Sequence, residues 1–218
     1  MREHTVLIGR CRGKEPRAIL AGNVDLRGAL ERVRDVGRAV VNGVLTEARC
    51  AAIVREVAER SFERLPPTIG PVRQETELLL LTGEFGEVPS VAAVREELVA
   101  AIRDQAPDRA ELGDWWPNEA YVQRYEPGAL GVTAHVDSKR FVLLIAVFTL
   151  LGSSEFLLYE ERPGNVIETW ETRPGTLVLL RGPGPGGLED GRPFHAVRGP
   201  AAGQRYSLTF RMNAGRAP

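Results

Sequence analysis

The sequence predicts an α+β chain dominated by β structure, with helices on its N-terminal side and a sandwich or jelly roll after them. Three observations carry that expectation. Apolar residues recur at helical spacing in two segments before residue 116. After Pro117, seven short β-like segments follow one another. Gly and Pro punctuate them at Pro127-Gly128, Pro163-Gly164 and Pro174-Gly175, and many short strands at even spacing suit a jelly roll better than a parallel sheet.

Taken in order, residues 1–20 are mixed in charge and show no period, which predicts a loose or edge-paired start. Residues 26–41 read as a short helix. The stronger helix is 46–65, where Cys50, Ile53, Val54, Val57, Ala58 and Phe62 share one face, Thr46 suits an N-cap and Pro66-Pro67 ends the pattern. A strand is expected over 77–81. A second amphipathic helix covers 90–102, with Val91, Val94, Leu98 and Ile102 on one side. The β-like segments then span 120–125, 141–150, 155–160, 166–171, 176–180, 195–197 and 205–212. Residues 182–193 are rich in Gly and Pro and predict a loop. Neither a repeat nor a linker is visible. Residues 1–218 therefore read as one domain, with 1–116 a mostly helical support and 117–213 the β core.

Composition fits that size. With 218 residues and 43% hydrophobic side chains, the chain can bury roughly 70% of its unfolded surface, so its core needs no disulfide staples. A net charge of -1 gives no global pull toward nucleic acid or an anionic membrane. Ten basic side chains stand against six acidic ones in the first 49 residues, but they are spread rather than clustered, which suits base composition better than phosphate binding. Only Cys11 and Cys50 are present and no CxxC occurs, which argues against a cysteine zinc site or a redox motif. The apolar stretch at 5–9 is too short for a signal peptide. The longest apolar run, 141–151, is well short of the ~20 residues that cross a membrane. The expected setting is cytoplasmic and reduced, with no membrane partner.

Chemistry concentrates in few residues. The histidines are His4, His135 and His195. His135 and Asp137 are two apart, so on extended chain both point to one side. His195 follows sixty residues later, after a loop. Two imidazoles and a carboxylate can fill one face of an octahedral ion and leave three positions open, a pattern of non-haem Fe(II) oxygenases. A strand-edge ion pair explains His-x-Asp as well, and His195 alone reads equally as a half-buried side chain. Along residues 205–212, Tyr206, Leu208, Phe210 and Met212 alternate with Arg205, Ser207, Thr209 and Arg211. The polar set shares one face, which is either a solvated exterior or a barrel interior able to grip a dicarboxylate.

In order along the chain stand Pro117-Asn118, Arg124-Tyr125-Glu126-Pro127-Gly128, His135-Val136-Asp137, His195, and Arg205-Tyr206-Ser207-Leu208-Thr209-Phe210-Arg211. On these motifs the sequence resembles the AlkB-like branch of Fe(II)/2-oxoglutarate-dependent dioxygenases, over somewhat under half its length. The resemblance implies a double-stranded β-helix with iron held by His135, Asp137 and His195. It also implies that Arg205 grips the distal carboxylate of 2-oxoglutarate, with Tyr125 hydrogen-bonded to it and Arg211 reaching the cosubstrate's other end or the substrate. Gln123 and Ser207 stand where this branch often has Asn, and both can still hydrogen-bond the cosubstrate. The implied reaction consumes 2-oxoglutarate and O2, yields succinate and CO2, and oxidises a substrate C–H bond.

Three readings of the target follow. A small organic molecule suits the near-neutral charge, and no segment of residues 66–116 matches the branch's nucleotide-recognition lid. Oxidative dealkylation of nucleic-acid bases suits the motif match, with Trp115 and Trp116 either stacking on a flipped base or simply packing. Lys139 and Arg140 add positive charge near the expected mouth. The third reading is a metal-binding jelly-roll sensor without turnover, which the presence of Arg205 beside the triad disfavours. His4, the Glu160-Glu161 pair and Trp170 are assigned no role. The glycine-rich stretch 182–187 lacks the Gly-Lys-Ser/Thr ending of a phosphate loop and reads as a lip beside His195.

Overall fold

A computed structural model describes residues 20–21, 24–106, 112–161, 164–184 and 191–216. His4, Cys11, the first part of the basic segment and residues 185–190 of the glycine-rich loop lie outside the described residues. The elements in chain order are α1 (Arg27–Val36), β1 (Arg38–Val41), α2 (Glu47–Ala58), β2 (Glu63–Arg64), β3 (Thr68–Ile69), β4 (Val72–Glu75), β5 (Glu77–Thr82) and α3 (Pro89–Gln105). After them come β6 (Glu119–Tyr125), β7 (Gly131–His135), β8 (Phe141–Leu151), β9 (Ser154–Tyr159), β10 (Val166–Thr172), β11 (Leu177–Arg181), β12 (Phe194–Arg198) and β13 (Arg205–Asn213).

Two antiparallel sheets form. The larger has the order β1-β11-β8-β13-β6-β5-β2 and the smaller β10-β9-β12-β7-β4-β3. The last eight strands alone give β11-β8-β13-β6 facing β10-β9-β12-β7, the winding of a double-stranded β-helix. The N-terminal part is more than helical support: β1 to β5 widen both sheets. No helix among the described residues is long and apolar enough to cross a membrane.

The long apolar run of β8 follows from burial on both faces. Leu144, Ala146, Phe148 and Leu150 join Leu177, Leu179, Leu208 and Phe210 in the core beneath the helices. Phe141 and Ile145 turn the other way, to Val178, Leu180, Phe156 and Leu158 between the sheets. The helices close the first core with Leu30, Val33, Ile53, Val57, Val91 and Leu98. At about 25 cal/mol per Å² of apolar surface, burial on both faces lets β8 stabilise both layers. Arg32 and Arg38 both reach Glu168 on β10, linking α1 and β1 to the edge of the smaller sheet.

Two helices end earlier than the sequence suggests. The expected helix over 26–41 stops at Val36, because Gly37 adopts φ +81° and its N–H bonds back to Val33. The chain then becomes β1, which pairs with β11. The expected helix over 46–65 has its Thr46 cap, with the hydroxyl accepting from Arg49 N–H, but ends at Ala58. Phe62 still packs inward, edge-on to Tyr206 at 6.1 Å, from a segment that peels off to pair with β5. By contrast α3 runs longer than expected, from Pro89 at its first turn to Gln105.

A bulge shapes β8 near its first residues. Against β13, Ile145 faces Arg211 and Val142 faces Met212, so Leu143 and Leu144 are extra, and Leu143 takes φ +66°. The freed Leu144 carbonyl accepts the indole N–H of Trp115 at 2.7 Å. Leu143 exchanges backbone hydrogen bonds with the start of the glycine-rich loop, its N–H to Pro183 and its carbonyl from Gly182.

Candidate active site

The site opens between the two sheets, in a cavity of about 340 Å³. β13 supplies its floor. Arg205, Ser207 and Thr209, with Arg211, line the cavity, while Tyr206, Leu208 and Phe210 face the helical core. The alternation read in the sequence is therefore the interior of a barrel, not a solvated exterior. Across the ladder, Tyr125 stands opposite Arg205, Gln123 opposite Ser207 and Tyr121 opposite Thr209, and all three line the same cavity.

The smaller sheet brings the metal-ligating types together. His135 ends β7, His195 follows Phe194 at the start of β12, and the two are direct partners in the antiparallel ladder. Gly131 allows this close approach: it has φ +85°, and a Cβ there would run into the Val197 carbonyl oxygen. Asp137 lies just past the end of β7. One ligand atom from each of His135, Asp137 and His195 falls within 4.8 Å of the others.

Each imidazole is oriented from behind. Nδ1 of His135 lies 2.9 Å from the Thr133 carbonyl, and Nδ1 of His195 lies 3.1 Å from that of Pro193. A carbonyl can only accept, so each Nδ1 carries a proton, which leaves Nε2 as the nitrogen able to ligate. Nε2 of His195 points to Asp137 Oδ2 at 3.5 Å. Phe156 stacks on the His195 ring at 5.3 Å and 6°. Burial, reinforced by the neighbouring imidazole, lowers the His195 pKa to about 4 and keeps the ring neutral. Burial alone would raise the Asp137 carboxyl. Arg211, the two imidazoles and Arg192 outweigh it and hold the group below the ordinary carboxylate range.

Arg211 donates to Asp137 Oδ1 at 2.8 Å, and its guanidinium sits between the rings of Tyr121 and Phe141. Arg192 donates to the Asp137 backbone carbonyl. The residues fit a divalent cation well: two imidazole nitrogens and one ionised oxygen lie close together, the donor set that suits Fe(II).

Arg205 is 1% exposed. One guanidinium nitrogen donates to Thr149 Oγ1 at 3.2 Å, whereas Nε and Nη1 are buried and meet no acceptor among the described residues. Burial lowers its pKa, but no ordinary pH neutralises a guanidinium. A buried cation with unmet donors, aimed into a cavity, fits a ligand carboxylate. Burial raises the nearby Tyr125 phenol, so it stays protonated and able to donate.

Other expected residues fall elsewhere. Trp115 and Trp116 do not line the cavity. Trp115 is fully buried, held by the β8 bulge, and Trp116 packs under the guanidiniums of Arg95 and Arg103. Neither is placed to stack on a base in the cleft. Lys139 occupies an exposed turn and is not among the lining residues, while its neighbour Arg140 is. Trp170 stacks on Phe156. Sequence reasoning did not single out Thr149, Tyr121, Gln74, or the wall built by Leu65, Ile69, Val72 and Leu78. A lone hydroxyl inside the apolar run 141–151 was the one available signal for Thr149.

The fold is that of the Fe(II)- and 2-oxoglutarate-dependent oxygenases of known structure. A prolyl hydroxylase from Trichoplax adhaerens, solved with a hypoxia inducible factor peptide fragment, aligns with TM-score 0.62 and 14% identity over 86% of this chain and 88% of its own. A prolyl-4-hydroxylase from Pseudomonas putida aligns with TM-score 0.60 and 19% identity, over 88% and 100%. The non-heme alpha-ketoglutarate-dependent carbocyclase SnoK from nogalamycin biosynthesis gives TM-score 0.60 and 13% identity, over 88% and 85%. No protein-family profile matches the chain, and no curated protein matches its sequence.

Proposed function

We propose that this chain is an Fe(II)- and 2-oxoglutarate-dependent dioxygenase that oxidises a C–H bond of a small organic molecule. The observation that carries the reading is the pairing, in one cavity, of a His135-Asp137-His195 face with the buried, under-satisfied guanidinium of Arg205. A metal-binding sensor has no need of the second feature.

His135, Asp137 and His195 would hold the metal and Arg205 the distal carboxylate of 2-oxoglutarate. Loaded with both and with O2, such a site supplies the oxidising power for a C–H bond while 2-oxoglutarate leaves as succinate and CO2. The protein's own contribution is placement. The Thr133 and Pro193 carbonyls fix the ring tautomers, Arg211 keeps Asp137 ionised and oriented, and Thr149 steadies Arg205. Tyr125, Gln123 and Ser207 offer hydrogen bonds along the floor between Arg205 and Arg211.

The AlkB-like motif of β13 supports a second reading, dealkylation of a nucleic-acid base. Three features favour the small molecule. Trp115 and Trp116 lie outside the cleft. The rings of Tyr121 and Phe141 already carry guanidiniums, and the net charge is -1. Succinate formation that requires both Fe(II) and 2-oxoglutarate, and that His135→Ala abolishes, is the expected result. Turnover by His135→Ala at the wild-type rate would remove the metal assignment. Salt-sensitive retention on single-stranded DNA would restore the nucleic-acid reading.

A further inference from the structure

The cavity's charges do not balance. Among the described lining residues, Arg140, Arg205 and Arg211 face a single carboxylate, Asp137. A divalent cation and a 2-oxoglutarate dianion cancel each other, so the excess stays positive after both are bound. Asp137 answers Arg211. The cosubstrate's distal carboxylate would answer Arg205. The arginine left without a carboxylate is Arg140.

Arg140 is exposed on the cavity lining. Its guanidinium rests over the Phe141 ring at 4.7 Å, Nη2 lies 3.4 Å from the Tyr121 hydroxyl, and its backbone carbonyl accepts from Ala214 N–H. No carboxylate pairs with it among the described residues. An exposed arginine on a pocket lining, with no acidic partner among the described residues, is available to an anion.

The wall supplied by the N-terminal strands is apolar. Leu65, Val72 and Leu78 line the cavity, and Ile69, in the tight β3–β4 hairpin, leaves 55% of its surface open at the mouth. An open aliphatic side chain on a pocket wall is a surface that a ligand's apolar part can cover.

We propose that the substrate is an amphiphilic monocarboxylate, its carboxylate paired with Arg140 and its aliphatic or aromatic body laid against Leu65, Ile69 and Val72. This rests on the dioxygenase reading and names its substrate class. A carboxylate matches the planar fork of one guanidinium through two parallel hydrogen bonds, which Arg140 alone can supply.

Calorimetry on the full chain, loaded with Mn(II) and saturating 2-oxoglutarate, tests it with alkanoates of six to ten carbons and their matched amides. The expected result is at least tenfold tighter binding of the best alkanoate than of its amide. Arg140→Gln is expected to erase that preference while leaving amide affinity intact, which also shows the variant folded. Arg140→Lys keeps part of it. Equal affinity for acid and amide overturns the proposal. So does an alkanoate affinity that falls as 2-oxoglutarate is raised, which places the acid at Arg205 instead, or tighter binding of octyl phosphate. If Mn(II) or 2-oxoglutarate itself fails to bind, the dioxygenase reading fails first and takes this one with it.

Discussion

Arg205 and Tyr125 are direct partners across β13 and β6, and the guanidinium of the first lies 5.3 Å from the ring centre of the second. The pair sits at a fully buried position where Arg205 has donors to spare. Replacing Arg205 with Ala removes a buried cation able to answer a dicarboxylate. Its expected effect is a 2-oxoglutarate requirement raised on the order of a hundredfold or more, with Mn(II) affinity close to wild type. Titrating succinate formation against 2-oxoglutarate, beside Mn(II) binding by electron paramagnetic resonance, checks both halves.

His135→Ala acts on the other function. Loss of an outer partner of a metal ligand costs about 10–100-fold in affinity, so loss of the ligand itself is expected to cost at least the upper end of that range. Mn(II) binding falls accordingly while the thermal transition of the metal-free protein changes little. A variant that binds Mn(II) as tightly as wild type places the ion elsewhere.

Trp115→Phe separates packing from recognition. The indole N–H is the partner of the Leu144 carbonyl at the β8 bulge, and Phe leaves that buried carbonyl unmet. A loss of roughly 1–3 kcal/mol follows, lowering the melting temperature by several degrees. Cosubstrate binding is unaffected. A substrate-contacting Trp115 would show the reverse: an unmoved transition and lost substrate binding.

Cys50 gives a pH-dependent test away from the cleft. Burial raises its thiol from 9.0 to about 11. Between those values the unfolded chain is deprotonated and the folded one is not, so folding stability declines as pH rises through that window. At pH 8 the folded thiol holds about a hundredfold less thiolate than the unfolded one. Alkylation of Cys50, followed by peptide mass spectrometry, is expected to be slow in native protein and fast in denaturant.

How much of this was legible depended on the length of each pattern. The floor of the cleft was readable because nine consecutive residues of β13 alternate strictly, and β6 pairs with it over seven. His135, Asp137 and His195 were readable as ligand types, but their convergence needed the ladder of β7 and β12. The apolar wall was not readable. β2 and β3 are two residues each and β4 four, mostly exposed, and Pro66-Pro67 and Gly70-Pro71 break any period. Trp115 stays open between stacking and packing in the sequence, because a neighbouring aromatic pair beside a core strand looks the same whether it faces a ligand or satisfies a bulge. Gly37 ended α1 where apolar periodicity alone carried on to Val41.

The strand order has a kinetic consequence. In the smaller sheet β12 lies between β9 and β7, so the two imidazoles become neighbours only once a late segment of the chain has threaded between two earlier ones. Such long-range pairing is slow to nucleate. An ion meeting the nascent polypeptide would find at most the local His135 and Asp137 pair and no third ligand. Metal uptake is therefore expected to follow barrel closure rather than drive it, and a chelator should strip the ion while leaving the scaffold folded.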